Sequence, residues 1–203
     1  MGSPEAQVEL FDFLDPDFRN RLTDAQRDRI LSLFVREEFG KRTQIFINGD
    51  SNTRHYFVIR GLLRLYIIDP SGKEFNVLFA REGQVLGDLA SPRPTPFNLD
   101  TIEDSVVHSI SSENLEVLRR EFSDQAALDS NTKLKRSYIF LQKRLVSILS
   151  KTAEENYLEL RRTQPQLLDR LPQYHIASYL GVSPEFLSKI VKQLLKKGPD
   201  GES

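Results

Sequence analysis

The side chains of this chain best placed to do chemistry lie along one short stretch, Ser183-Pro-Glu-Phe-Leu-Ser-Lys-Ile-Val-Lys192. Their chemistry is hydrogen bonding rather than bond making. Lys189 is a cationic donor of the kind that pairs with guanine O6 and N7, and Glu185 is an acceptor suited to cytosine N4; a well-aligned pairing of either sort discriminates by roughly 1–3 kcal/mol. Catalysis finds far less to work with. The chain has no cysteine and only 3 histidines, so disulfides, thiolate zinc sites, cysteine-ligated clusters and thiol nucleophiles are excluded together. His55, His108 and His175 are isolated from one another, and the sequence implies no catalytic residue, no metal and no cofactor.

Bases are read only if an element carries such side chains into a groove, and the residues around this stretch supply one. A helix-turn-helix needs a small residue where its two helices touch, a glycine at the turn and apolar residues that close the wedge. In Pro172-Gln-Tyr-His-Ile-Ala-Ser-Tyr-Leu-Gly181-Val, Ala177 stands four residues before Gly181, and Ile176, Leu180, Val182, Leu187 and Ile190 supply the wedge. Ser183 can cap the second helix, with Pro184 at its first position, where a missing amide hydrogen does no harm. The bland alternative is a pair of amphipathic helices with a glycine between them. The motif reading makes Ser183, Pro184, Glu185, Ser188, Lys189 and Lys192 the exposed face of a recognition helix whose N-terminal residues lie nearest the bases. Gln173, Tyr174 and Lys192 suit phosphate contacts, which position without reading sequence. His175 reads as a surface residue with no role.

The charge is divided to match. From residue 131 onward there are 13 Lys/Arg against 7 Asp/Glu, and before it 15 against 22, although the whole chain carries a net charge of only -1. A basic C-terminal third on a nearly neutral protein is the footprint of a polyanion-binding surface, with solvated helix faces as the plainer explanation for part of it.

Upstream, Thr23-Asp-Ala-Gln26 has the form of a capping box, followed by Ile30, Leu31 and Phe34 at helical spacing. After Gly40 the pattern becomes period two or short apolar runs, at residues 44–48, 56–59, 62–69, 74–80, 97–102 and 105–110, punctuated by Gly and Pro. No helical crossover separates these strands, so they predict an antiparallel β-roll rather than a parallel sheet. From Ser112 the period is helical again. Leu134, Tyr138, Leu141, Leu145 and Ile148 recur at spacings of four, three, four and three, a heptad seam suited to pairing with a second copy of the chain, the alternative being a helix packed on its own roll. Thr152-Ala-Glu-Glu155 is a second capping box, and Pro165 interrupts before another short helix. The expected organisation is an N-terminal segment 1–22, a β-roll sensor over 23–122, a dimerisation helix over 123–150 and a helix-turn-helix domain over 151–203. The fold class is α+β: a double-stranded β-helix, cupin-like roll, then a long helix, then an all-α domain. No apolar run approaches the roughly eighteen residues that cross a bilayer, and no signal-type N-terminus is present, so a cytoplasmic location without a membrane partner is expected.

With these residues placed, the chain resembles the Crp/Fnr superfamily of bacterial regulators. Tyr56-Phe-Val-Ile-Arg-Gly61-Leu-Leu-Arg-Leu-Tyr66, then Gly72-Lys-Glu, then Gly83-Gln-Val-Leu-Gly-Asp88 look like that family's cyclic-nucleotide-binding-type roll. The resemblance implies a non-enzymatic transcription regulator, a homodimer on a palindromic site in double-stranded DNA, RNA polymerase as a further partner, and an unknown small-molecule effector in the roll at Gly87, Asp88, Leu89 and Asn98. Two departures qualify it. Relatives that bind a cyclic nucleotide follow a Gly-Glu pair with an arginine and a hydroxyl residue about ten positions on, whereas Gly87-Asp88 here leads only to Asn98 and Leu99, with Arg93 the sole arginine of that loop. A carboxylate without a guanidinium repels an anion, so cyclic AMP is not the expected effector. Haem would have His55 or His108 as its ligand, each of which reads better as a structural strand residue. The second departure is that Lys196-Lys197 is followed by six residues, too few for the β-hairpin wing, which places the resemblance with the wingless branch.

Two other classes compete. A cupin-type metalloenzyme would need clustered histidines and a carboxylate, which the spacing does not supply. A ligand-binding roll dimer without DNA contact would share everything but the chemistry of the last helices.

Overall fold

The computed structural model of the chain describes residues 10–11, 20–51, 54–87, 94–122 and 130–197, the side chains of 130–137 and 197 lying outside that description. The chain divides into two compact units, residues 1–67 with 77–131, and residues 68–76 with 132–203.

In the first unit, α1 (Asp24–Ser32) starts at the capping box read from the sequence. Thr23 Oγ1 accepts from the Gln26 amide at 3.3 Å while Gln26 Oε1 accepts from the Thr23 amide at 2.9 Å, which satisfies two amides that a helix start leaves bare. Eight strands follow among the described residues: β1 (Val35–Phe39), β2 (Gln44–Phe46), β3 (Arg54–Arg60), β4 (Leu62–Ile68), β5 (Glu74–Arg81), β6 (Val85–Gly87), β7 (Asn98–Thr101) and β8 (Ser105–Ser111), the last residue of β4 and the first three of β5 being counted with the second unit. They form two four-stranded sheets ordered β1-β8-β3-β6 and β2-β7-β4-β5, the antiparallel roll that the short apolar runs predict. Two of the strands escape the period-two pattern. In β1, Val35-Arg-Glu-Glu-Phe39 carries three central charges because it is an edge strand, paired among the described residues with β8 alone, from Val35↔Ser109 to Phe39↔Ser105, and charge on an edge deters pairing with another chain. β6 is three residues long, below the length at which alternation shows.

Successive side chains of a strand point to opposite faces, and this splits the core in two. Tyr56 and Val58 of β3 meet Leu63, Leu65, Leu99 and Val107 between the sheets, whereas Phe57 joins Ile30, Ile110, Leu118 and Phe122 on the other side of the first sheet. That second cluster is covered by α1 and α2 (Ser112–Glu121), the latter capped by Ser111, whose hydroxyl accepts from the Asn114 amide at 3.1 Å. His55 and His108 lie in register with Ile110 and Phe57 respectively. Both are buried and point away from the space between the sheets. Gly87 is where β6 meets β3, and a Cβ there would stand 2.8 Å from the Arg54 carbonyl oxygen; glycine permits the approach.

The second unit holds α3 (Ser130–Ser150), α4 (Ala153–Thr163), α5 (Pro165–Arg170), α6 (Gln173–Leu180) and α7 (Pro184–Lys197) together with residues 68–76. Residues 123–129 of the anticipated long helix fall outside the described residues. The second capping box forms as read, with Glu155 Oε2 accepting from the Thr152 amide at 2.7 Å, and the interruption read at Pro165 is there: α4 ends at Thr163 and Pro165 opens the first turn of α5. Among the described residues no helix is long and apolar enough to cross a membrane.

Candidate nucleic-acid interface

The turn between α6 and α7 is built by its backbone demands. α6 ends at Gly181, whose φ of 74° and ψ of 24° lie in the left-handed region, where any side chain costs about a kilocalorie or more. In that conformation the Gly181 amide donates to Ser178 O at 3.2 Å and the Val182 amide to Ala177 O at 3.0 Å, closing the carbonyls that a helix C-terminus leaves open. Two residues on, Ser183 Oγ accepts from the Phe186 amide at 3.2 Å, and Pro184 begins α7. Ala177 and Leu187 are wholly buried, with Ile176 and Ile190 beside them; Leu180 and Val182 are half-buried. The wedge therefore consists of the residues whose types and spacing predict it.

This scaffold leaves Gln173, Tyr174, Ser183, Pro184, Glu185, Lys189 and Lys192 exposed. At 3.6 residues per turn, Glu185, Lys189, Lys192 and Lys196 fall along one narrow stripe of α7. The Glu185 carboxyl is held below the usual carboxylate range by its own backbone amide and then by the Ser183 hydroxyl, so it is an ionised acceptor. Ser188 departs from the anticipated exposed face: it is half-buried and donates to Gln173 Oε1 at 3.1 Å, tying α7 to α6. Phe186, which the sequence reading passes over, is 51% exposed on the flank of the same stripe. An exposed phenylalanine next to a helix cap is a signal that pattern reading takes for core.

His175 corrects the expectation of a surface residue. It is buried, and Asn76 Nδ2 sits 3.2 Å from its Nδ1 and donates to its carbonyl at 3.0 Å. The Asn76 amide also donates to Ser178 Oγ at 3.0 Å, and that hydroxyl donates to Glu74 O at 3.0 Å. These contacts lie within the second unit and join residues about a hundred positions apart, beyond the reach of any sequence periodicity.

Along α3, Tyr138, Leu141, Leu145 and Ile148 are exposed as a pairing seam requires; the side chain of Leu134 lies outside the described residues. Ile139, Val146 and Leu149 are exposed beside them, Leu149 to 76%. The apolar face is thus wider than the heptad and is centred nearer Leu145 and Leu149, because Ile139, Val146 and Leu149 add apolar side chains on one flank of it.

Of the candidate effector residues, Gly87 closes β6, and Asn98 is buried with Oδ1 accepting from the Asn48 amide at 3.1 Å and Nδ2 donating to Tyr66 O at 3.5 Å. Asp88, Leu89 and Arg93 lie outside the described residues. What the sequence reading misses in the roll is Arg64. This buried guanidinium donates from Nε to Asp100 Oδ1 at 2.9 Å and from Nη2 to Asp100 Oδ2 at 2.5 Å, and it lies 3.9 Å from the centre of the Tyr66 ring. Among the described residues no group of three or more His, Asp or Glu is placed to hold a metal.

Residues 36–122 match the model of the cyclic nucleotide-binding domain family. No curated protein matches the chain significantly. Among solved structures, the c-di-GMP-responsive global regulator CLP of Xanthomonas campestris aligns at a TM-score of 0.67 and 19% identity, over 84% of this chain and 91% of that one. FixK2 of Bradyrhizobium japonicum aligns at 0.68 and 21%, over 81% and 86%. A Crp/Fnr-family regulator of Eubacterium rectale, itself described as putative, aligns at 0.65 and 17%, over 91% and 88%. The chain thus contains a cyclic nucleotide-binding-type domain and has the Crp/Fnr fold.

Proposed function

We propose that the chain is a sequence-specific DNA-binding transcription regulator that acts as a homodimer on a palindromic operator. The observation that carries this reading is the exposed stripe of α7, three lysines and one ionised glutamate on a helix whose opposite face is fixed by Ala177, Leu187 and Ile190. A convex helix with donors, one acceptor and net positive charge matches a major groove, where phosphates supply affinity and base edges supply specificity. Lys189 and Glu185 are the base readers, and Gln173, Tyr174 and Lys192 bind phosphates. Phe186, exposed on the flank of the stripe, supplies an apolar contact to a thymine methyl group.

The apolar face of α3 pairs two copies, giving two recognition helices related by a twofold axis. The roll acts as a sensor that does not take cyclic AMP. Its buried Arg64 is already neutralised by Asp100, and a cyclic phosphate would have to break that pair to reach the guanidinium. Selection from random duplexes tests the whole reading: a palindrome with half-sites about 10 bp apart should be enriched. A chain that enriches no sequence is not this regulator.

A further inference from the structure

A cavity of about 420 Å³ opens between α3, α4 and α6 of the second unit, a size that accommodates a small organic ligand. Its apolar walls include Phe140, Leu160 and Leu180, and three cations line it, Lys143, Arg144 and Arg162. Among the described residues Glu159 is the one acidic side chain of the lining, and Lys151 Nζ neutralises it from 2.6 Å. Three positive charges against one compensated carboxylate leave the cavity electropositive.

Arg144 is the distinctive member. Nη2 donates to Tyr179 O at 3.1 Å and to Asn76 O at 3.4 Å, and the guanidinium lies 3.5 Å from the centre of the Tyr179 ring. These partners are dipoles and a quadrupole, and among the described residues no carboxylate pairs with Arg144. Arg144 is half-buried, and that burial pushes its pKa down. A partly desolvated cation gains from an opposite charge, and Nε and Nη1 have no acceptor among the described residues, leaving donors for a carboxylate or phosphate.

We propose that this cavity binds a small organic anion, with its carboxylate or phosphate on Arg144 and its apolar body against Phe140, Leu160 and Leu180. A dimer leaves the far side of the cavity accessible. At 100° per residue, Phe140 and Ser147 fall on the side of α3 opposite Tyr138, Leu145 and Leu149, whereas Ile148 belongs both to the seam and to the cavity lining, so a second copy centred on Leu145 and Leu149 reaches the cavity at that edge. Because Arg144 also holds the C-terminal carbonyl of α6, next to the turn that aims α7, an anion there tightens or loosens the hold of α3 on the reading head. That last consequence rests on the proposed DNA-binding function; the binding itself does not.

The test is calorimetric titration and thermal denaturation of the full chain with phenyl phosphate, with inorganic phosphate as the bare anion and benzyl alcohol as the uncharged body. Phenyl phosphate should bind saturably and raise Tm, phosphate should bind more weakly, and benzyl alcohol should do neither. Arg144→Gln should weaken phenyl phosphate by about tenfold or more. Leu180→Trp, which fills the cavity and leaves every cation in place, should do the same, and it keeps the test decisive should Arg144→Gln not fold. Lys189→Ala should leave the affinity for phenyl phosphate unchanged, which separates the cavity from the basic face of α7. Absence of saturable binding by phenyl phosphate, or equal affinity in both cavity variants and the parent, overturns the proposal whether or not the chain selects a palindrome.

Discussion

Arg64 and Asp100 face each other across the β4–β7 pair and meet through two parallel hydrogen bonds, with both side chains largely withdrawn from water. Removing one partner of such a pair strands a desolvated charge and costs about 3–5 kcal/mol, whereas replacing both with apolar residues of like volume is near neutral. Asp100→Leu alone should lower the denaturant midpoint markedly, and adding Arg64→Met should restore most of it. Equal destabilisation by the single and double variants would show that the pair is not what the single change breaks.

His55 makes the stability depend on pH in a definite direction. It is buried with Nδ1 unpartnered among the described residues, and burial first, then the nearby Arg119 charge, push its pKa below the ordinary value of 6.5. The unfolded chain therefore binds a proton at higher pH than the native one. The contribution is neutral above the unfolded pKa, and stability is lost as pH falls through the window from there to the depressed native value, with a slope of at most about 1.4 kcal/mol per pH unit. His55→Met should flatten the urea-derived stability profile in that window and leave it unchanged above pH 7.5 or so; an undiminished slope would assign the acid sensitivity to other groups.

The elements legible in the sequence are those whose signal is local. Both capping boxes, the αL glycine and the Ala177 wedge are fixed by residues within one or two turns of each other, and the structure realises each of them. Contacts that depend on topology stay hidden. Arg64 with Asp100 is set by strand register, and His175 with Asn76 by the packing of two segments far apart in the chain; without those partners an arginine in a strand and a histidine in a helix both read as surface residues. Phe186 and Leu149 are hidden for the opposite reason, because an apolar type is taken as buried until its exposure is seen.

Lys189 and Lys192 should separate under salt. Lys189→Ala should cost roughly 1–3 kcal/mol on a selected operator and less on random duplex, because a base contact is lost. Lys192→Ala should weaken both DNAs alike and reduce the slope of log affinity against log salt by about one, the signature of one lost phosphate contact. Titrations at several salt concentrations read both effects, and equal losses on the two DNAs for Lys189→Ala would remove it from base reading.

Phe186 allows a change of a single methyl group on the DNA side. If its ring packs on a thymine methyl, deoxyuridine at that one position should weaken binding by about 0.8 kcal/mol, roughly fourfold. Phe186→Ala should weaken the thymine operator and no longer distinguish thymine from deoxyuridine. Scanning each selected thymine in turn checks this, and discrimination that survives in Phe186→Ala would give the methyl contact to another side chain.

The wide apolar face of α3 makes a sharper demand than the heptad alone. Leu145 and Leu149 stand at its centre and are among the most exposed apolar side chains of the helix, so in a symmetric pair each lies near its own counterpart. Leu145→Glu with Leu149→Glu would set like charges against one another while touching no buried residue of the single chain. The variant should sediment as a monomer with an unchanged circular dichroism spectrum. It should also bind a single half-site as well as the parent does while losing its preference for the full palindrome, because the second recognition helix no longer arrives tethered to the first. A dimer that persists would place the interface elsewhere and leave the exposed leucines of α3 without the partner assigned to them.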